Sequence, residues 1–135
     1  MIVYLVRHGE AVAEDVDPAR PLTEKGREEV EATARELKEH GARIDEIWHS
    51  TKLRAMQTAE ILARVLNISK IIEKEGLKPN DPVTPIADLI RQTDKTILIT
   101  GHLPFIPKLA SLLRPELQGK QIIELKSGGV VMIIF

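Results

Sequence analysis

The chain has 135 residues, 43% of them hydrophobic, and its 19 basic and 20 acidic side chains leave a formal net charge of −1. This balance, together with only 3% aromatic residues, disfavours a nucleic-acid-binding protein, which would show a basic excess and aromatic side chains that stack on bases. The absence of cysteine excludes disulfides, zinc–thiolate sites and a thiol nucleophile. We expect one domain over residues 1–135, large enough to fold without a disulfide or metal.

The N-terminus passes directly into the apolar run Ile2 to Val6, without the basic region and long apolar stretch of a signal peptide. No apolar run approaches the ~20 residues that a membrane-spanning helix needs. We therefore expect a cytoplasmic protein that has neither a membrane nor a nucleic acid as a partner. Its oligomeric state is left open.

Strand-like apolar runs alternate with helix-like segments along the chain. Unbroken apolar runs are typical of buried parallel strands, and strands are predicted at residues 2–6, 46–49, 71–72 and 96–100. The 3.6-residue spacing of apolar side chains predicts helices over residues 24–39, 52–66, 85–92 and 105–113. Thr23 and Thr84 are the predicted N-caps of the first and third helices, and Gly41 is placed where a C-terminal glycine belongs.

The C-terminal segment contains two further extended stretches, residues 121–125 and 130–135, which flank Lys-Ser-Gly-Gly and predict a hairpin. Alternating strands and helices indicate an α/β fold with right-handed crossovers. We expect a three-layer αβα sandwich with a mostly parallel central sheet, helices on both faces and an antiparallel edge strand.

Cationic and imidazole side chains follow three of the predicted strands. Arg7 and His8 come directly after the first strand, Arg54 lies in the first turn of the helix after the second, and His102 follows the fourth. Because ligands of open α/β sheets bind at the carboxyl ends of the strands, these side chains are expected to share one pocket. Guanidinium groups match the oxygens of phosphate best, although sulfate or a carboxylate would also fit.

Imidazole is the remaining good nucleophile in this set of residues. Flanking guanidiniums disfavour the cationic form of His8, so that a neutral ring nitrogen could attack phosphorus. Alternatively, His102 could be a structural hydrogen-bonding residue and Arg54 a solvated one. His49, which ends the second strand, could add a third imidazole and raises a zinc site as an alternative, although a packing role is favoured. His40 is interpreted as a partner of the first helix's C-terminus.

Four segments, in order, resemble the signature of the histidine phosphatase superfamily, the phosphoglycerate-mutase-like enzymes. The segments are "LVRHGE" at the first strand, "RPLTEKG" from Arg20 to Gly26, "HSTKLRAMQTAEIL" from His49 to Leu62 and "ITGHLPFI" from Ile99 to Ile106. The short chain and the wording of the second and fourth segments are most similar to the SixA-type phosphohistidine phosphatases.

This resemblance implies that His8 is the nucleophile of a phosphatase and forms a transient phosphohistidine. It implies that Arg7, Arg54 and His102 bind the phosphoryl group, and that no metal or organic cofactor takes part. Many relatives carry an Asn a few residues after the RHG motif as a phosphate ligand, but the stretch here reads "AVAEDVD". Arg20 is the candidate that could compensate.

Larger relatives place a carboxylic general acid on an insertion after the third strand. The corresponding stretch here is only "EKEGLKPNDP". Its positional candidate is Glu75, with Glu73 and Asp81 behind it, and the alternative is that all three are ordinary loop charges. Glu10 could orient a substrate donor or balance arginine charge.

The short connections leave no room for a large lid, which suits a phosphoryl group displayed on a protein, such as phosphohistidine. Three alternatives remain open: a promiscuous phosphomonoesterase acting on small phosphorylated substrates, a mutase, and a non-catalytic phosphate-binding module on the same fold.

Overall fold

The computed structural model describes residues 1–116 and 125–135, in which five strands form one sheet in the order β3-β2-β4-β1-β5. The strands are β1 (Ile2–Arg7), β2 (Glu46–His49), β3 (Ile71–Glu73), β4 (Ile97–Gly101) and β5 (Val130–Ile134). The helices are α1 (Glu24–Glu39), α2 (Leu53–Leu66), α3 (Thr84–Gln92) and α4 (Phe105–Leu113).

The sheet is buried on both faces, as its continuous apolar strands predict. Successive residues of a strand point to opposite faces, and in β1 the side chains of Val3 and Leu5 enter one core while those of Tyr4 and Val6 enter another. The first core is formed with α3 and α4, and the second with α1 and α2. The predicted three-layer αβα sandwich is therefore confirmed.

β1, β2, β3 and β4 run parallel, while β5 pairs with β1 in the antiparallel sense at the edge of the sheet. The predicted antiparallel edge strand is thus confirmed for residues 130–134. Its predicted hairpin partner lies mostly outside the described residues, because only Leu125 of that stretch is described, and Leu125 is not in a strand. In the part of the chain that is described, no helix combines the length and apolar character needed to cross a membrane.

Helix ends follow the capping signals in α1 but not in α3. The Thr23 hydroxyl accepts a hydrogen bond from the backbone N–H of Gly26, as an N-cap side chain should. The prediction of Thr84 as the N-cap of α3 is wrong, because Thr84 is already helical and Val83 is the cap. Val83 already has α-helical backbone angles, and its carbonyl accepts from the N–H of Ala87 at 3.0 Å, so the helix begins one residue earlier.

The register of the parallel strands aligns their carboxyl ends. Arg7 pairs with Gly101 across β1 and β4, and His49 of β2 lies opposite Thr100 of β4. The backbone N–H of His8 continues this ladder by donating to the Gly101 carbonyl at 2.9 Å. Residues directly after β1, β2 and β4 therefore emerge at one rim of the sheet.

The N-terminal turn of α1 is packed tightly against the backbone that follows β1. A Cβ added to Gly26 would lie 2.1 Å from the carbonyl oxygen of Glu10, and one added to Gly9 would lie 2.6 Å from the Gly26 carbonyl oxygen. Both obstacles are backbone atoms, so neither can be relieved by a change of rotamer. These two glycines allow α1 to sit directly against the loop that carries His8.

Replacing Gly26 by alanine should therefore destabilise the fold even though alanine is the better helix former. We expect the free energy of unfolding to fall by about 3 kcal/mol, because the helix and the loop must separate. The measurement is urea denaturation followed by circular dichroism.

Gly41→Ala is the control for this substitution. A Cβ at Gly41 meets no atom within 4 Å, and its φ of +70° makes the cost conformational only, about 1 kcal/mol. Equal destabilisation by the two variants would contradict the packing explanation.

Candidate active site

The His8 ring lies at the rim, beside the end of β1, and its orientation is set by the next residue. Nδ1 of His8 is 2.6 Å from the carbonyl oxygen of Gly9. A carbonyl oxygen only accepts, so Nδ1 carries the proton and donates it. In the neutral ring this leaves the lone pair on Nε2 free.

Gly9 is itself held by α2. Its backbone N–H donates to the hydroxyl oxygen of Thr58 at 3.1 Å, and that buried hydroxyl donates to the Arg54 carbonyl at 2.8 Å. Thr58 thus joins the His8 loop to the first turn of the helix that carries Arg54. This role of Thr58 was not predicted from the sequence. Its position one turn after Arg54 on the same helix face would have indicated it.

His102 follows β4 and faces His8. The two ring centroids are 5.2 Å apart with an interplanar angle of 57°. Nε2 of His102 lies 2.7 Å from the hydroxyl oxygen of Ser50, the residue after β2. Side chains from three separate strand ends are therefore brought together, as their placement after the strands predicts.

Arg7 reaches the site from the end of β1 and is anchored by a C-terminal loop. Its Nη1 donates to the carbonyl oxygen of Leu125 at 2.8 Å. The backbone N–H of Gly128 in the same loop donates to the carbonyls of both Arg7 and His8 at 3.0 Å. The loop is tied to α1 through Ser127, whose hydroxyl donates to the Glu29 carboxylate at 2.9 Å.

Arg54 and Arg20 interact electrostatically. Burial is the largest cause that lowers the pKa of Arg54, and the positive charge of Arg20 lowers it further. Nε of Arg20 donates to the carbonyl of Val12 at 3.0 Å. The backbone of Arg20 has a φ of +51°, in the left-handed region that residues other than glycine rarely occupy.

Both imidazoles of the site are held neutral. Burial is the largest cause that lowers the pKa of His8 to about 4; it outweighs the hydrogen bond to Gly9, and the charges of Arg54 and Arg7 add to it. Burial likewise lowers the pKa of His102 to about 3, with further contributions from His8 and Arg54. The desolvated, positively charged surroundings disfavour a positive charge on either ring.

Three buried nitrogens of this site have no hydrogen-bond partner. Within residues 1–116 and 125–135, the buried side-chain nitrogens and oxygens that lack a partner are Nε of Arg7, Nε of Arg54 and Nδ1 of His102. Buried polar atoms are rarely left unsatisfied in proteins, and exceptions concentrate where a ligand or ion completes the bonding. All three atoms belong to residues that the sequence assigns to the anion pocket.

The predicted general-acid candidates lie at the end of β3 and in the loop that follows it. Glu75 and Glu73 are exposed, and the turn after β3 is fixed by a bond from the N–H of Lys74 to the carbonyl of His49 at 2.9 Å. Asp81 accepts from the backbone N–H of Lys78 at 2.9 Å within its own loop. The catalytic role of Glu75 stays a prediction.

A carboxylate outside the predicted set, Glu14, interacts electrostatically with Arg54. Glu14, in the loop between β1 and α1, raises the pKa of Arg54 and so partly offsets the larger effects of burial and Arg20. This role of Glu14 could not be predicted from the sequence, because the loop lacks the family's asparagine and no other motif residue marks Glu14 as a neighbour of Arg54. Glu10 instead accepts from the Thr23 hydroxyl at 2.8 Å, which gives it a structural role at the start of α1.

The two remaining histidines have structural contacts. Nδ1 of His49 lies 2.8 Å from the carbonyl of Ser50, and the side chain is buried. His40 is the C-cap of α1, with Nδ1 2.8 Å from the Glu36 carbonyl, as predicted for a partner of that terminus. Among the residues that the structure describes, no three His, Asp or Glu side chains are grouped so that they could hold a metal ion.

The chain is similar in sequence to phosphatases that are already known. The serine/threonine-protein phosphatase Pgam5, mitochondrial, of Drosophila simulans is 35% identical over 86 residues, which cover 62% of this chain and 30% of that protein. The chain therefore spans less than a third of the length of this curated relative.

Two solved structures share the fold over most of the chain. The protein histidine phosphatase SixA complexed with tungstate is 29% identical, with a TM-score of 0.76 over 82% of this chain and 75% of that chain. A candidate phosphohistidine phosphatase SixA from Agrobacterium tumefaciens is 25% identical, with a TM-score of 0.82 over 97% of this chain and 89% of that chain. The family model of the histidine phosphatase superfamily (branch 1) matches residues 3–80. With more than half of its length matched by that model, the chain belongs to the histidine phosphatase superfamily.

Proposed function

We propose that this protein is a metal-independent phosphatase that removes the phosphoryl group from protein phosphohistidine through a phosphohistidine intermediate on His8. The observation that carries the proposal is the set of unpartnered buried nitrogens on Arg7, Arg54 and His102 around the His8 ring. A phosphoryl group placed among them would supply the missing acceptors. The similarity to a SixA that binds tungstate, a tetrahedral oxyanion, supports the same ligand geometry.

The charge of the pocket suits a phosphoryl dianion. The pocket combines the guanidinium groups of Arg7, Arg54 and Arg20 with two neutral imidazoles. Guanidinium groups bind phosphate oxygens with two parallel hydrogen bonds, and their charge would stabilise the transition state, in which negative charge is spread over the equatorial oxygens. In this proposal, Arg20 makes the phosphate contact that an asparagine makes in many relatives.

His8 is the proposed nucleophile because its free lone pair is on Nε2. In the first step this nitrogen forms a bond to phosphorus while the bond from phosphorus to the substrate's nitrogen breaks, and the departing imidazole takes a proton from water or a loop carboxylate. In the second step water attacks phosphorus, the bond to Nε2 breaks, and phosphate leaves. The Gly9 carbonyl accepts the hydrogen bond from Nδ1–H throughout and stabilises the positive charge that the ring acquires when it is phosphorylated.

Phosphohistidine is the favoured substrate because its leaving group needs little help. A departing imidazole is easily protonated by the medium, whereas an alkoxide from a phosphoester needs a positioned general acid. The candidate acids, Glu75 after β3 and Glu14 after β1, are on exposed loops. A site with loosely held acids should therefore favour phosphoramidates over phosphoesters.

The first prediction of this mechanism concerns the protonation of the two site histidines. Since their pKa values lie at about 4 for His8 and about 3 for His102, their ring resonances should not titrate between about pH 5 and about pH 8. Heteronuclear NMR with specifically labelled histidine measures this, with His8→Ala and His102→Ala giving the assignments. A midpoint near 6.5 for either ring would contradict the neutral nucleophile.

The second prediction concerns the reaction itself. The wild-type protein should hydrolyse phosphohistidine in a protein faster than it hydrolyses an aryl phosphate, phosphoserine protein or phosphoglycerates. His8→Ala should abolish turnover, at least about a thousandfold, since the nucleophile is lost, yet it should still bind tungstate. His40→Ala is the matched control and should keep wild-type turnover, because His40 caps α1 away from the rim.

Each arm of this panel has an outcome that rejects part of the proposal. Much faster turnover of phosphoserine protein would favour the activity named for Pgam5, and faster turnover of small phosphoesters a general phosphomonoesterase. Interconversion of phosphoglycerates would indicate a mutase. Anion binding with no turnover of any phosphorylated substrate would indicate a phosphate-binding module.

The third prediction separates the two types of leaving group. Glu75→Gln and Glu14→Gln should each leave phosphohistidine turnover within about threefold of wild type, because the medium protonates imidazole. A carboxylate that serves as the general acid should be needed only for the slower phosphoserine and aryl phosphate reactions. A hundredfold loss on phosphohistidine in either variant would show that the leaving group depends on that acid.

A further inference from the structure

The Ser50 hydroxyl links the end of β2 to His102 in a fully enclosed position. Its oxygen lies 2.7 Å from Nε2 of His102, and the two residues are 0% and 1% exposed. The same oxygen accepts a weaker hydrogen bond of 3.3 Å from the backbone N–H of Lys52. Nδ1, on the other side of the His102 ring, is the buried nitrogen that has no partner.

A neutral imidazole carries one ring proton, so the bond to Ser50 allows two arrangements. Nε2–H could donate to the hydroxyl oxygen, which leaves a bare lone pair on Nδ1. Alternatively, the hydroxyl could donate to Nε2, which places the ring proton on Nδ1. The two tautomers differ in how Nδ1 interacts with an anion. A lone pair on Nδ1 repels the anion, whereas a proton on Nδ1 donates a hydrogen bond to it.

The contacts of Ser50 favour the second arrangement. If Nε2–H donated to the hydroxyl oxygen, this oxygen would receive two N–H groups, and its own buried proton would need a further acceptor. Among the hydrogen bonds of the described residues, Nε2 of His102 is the atom near Ser50 that can take that proton. A buried hydroxyl without an acceptor is costly, so the hydroxyl donates to the ring.

We propose that Ser50 is a positioning residue that fixes the tautomer of His102 with its proton on Nδ1, and so makes that ring a hydrogen-bond donor to the phosphoryl group. The inference rests on the proposed function for the identity of the anion. It gives neutral His102 the role of a donor rather than of a cation or a base.

A backbone contact holds His102 in place without the Ser50 bond. The backbone N–H of Ile106 donates to the His102 carbonyl at 2.9 Å. Removing the Ser50 hydroxyl should therefore change the ring proton more than the position of the ring.

The test reads the ring nitrogens directly by long-range ¹H–¹⁵N correlation at neutral pH, in the full chain. Wild type should show a protonated Nδ1 and an unprotonated Nε2 on His102. In Ser50→Ala the proton should move substantially to Nε2, and tungstate should bind about tenfold more weakly, as expected when one donor to an anion is lost. Wild-type protein with the proton on Nε2 would overturn the inference without any variant.

Thr100→Val is the matched control, since it removes a buried hydroxyl near the end of β4 that donates to the Ala55 carbonyl at 2.9 Å and not to His102. It should lose stability in urea yet keep the proton on Nδ1. If Ser50→Ala also keeps the wild-type tautomer, Ser50 has only a packing role and the inference fails. Failure of the proposed function looks different: the tautomer and tungstate binding would be as expected, and no phosphorylated substrate would turn over.

Discussion

The parallel pairing of β1 with β4 is the interaction on which the whole site depends. It aligns Arg7 with Gly101, and the hydrogen bond from the His8 N–H to the Gly101 carbonyl extends the ladder by one residue beyond the strand. Two histidines separated by most of the chain consequently face each other at 5.2 Å. A shift of one residue in this register would turn one ring to the opposite face of the sheet, because side chains alternate along a strand.

Burial and positive charge act in the same direction on these rings. Desolvation is the largest cause of the low pKa of both His8 and His102, and the surrounding guanidiniums reinforce it. A pocket can thus be strongly cationic through its arginines and still present uncharged imidazoles, one with a free lone pair and one as a hydrogen-bond donor.

The fold and the position of the site could be predicted from one local pattern in the sequence and one general rule about parallel sheets. Continuous apolar runs such as Ile97 to Ile99 are typical of strands covered on both faces. The rule that ligands bind at the carboxyl ends of such strands predicted that Arg7, His8 and His102 share one pocket. The bonds made by Ser50 and Thr58 could not be predicted in the same way. They depend on the distance between α2 and two strand ends, and no periodicity in the chain encodes that distance. The start of α3 at Thr84 was predicted one residue late, because threonine before proline is typical of a cap and first-turn pair, whereas Val83 carries no capping side chain that would mark it in the sequence.

The left-handed backbone of Arg20 has a consequence for how this protein balances stability against its chemistry. A side chain in that conformation costs about 1 kcal/mol relative to glycine, yet a long cationic one occupies it, with its Nε tied to the Val12 carbonyl. Selection for the fold alone would favour the smallest residue there. In the proposed chemistry, stability and function are therefore opposed at this position, because glycine would relieve the strain but would remove the guanidinium.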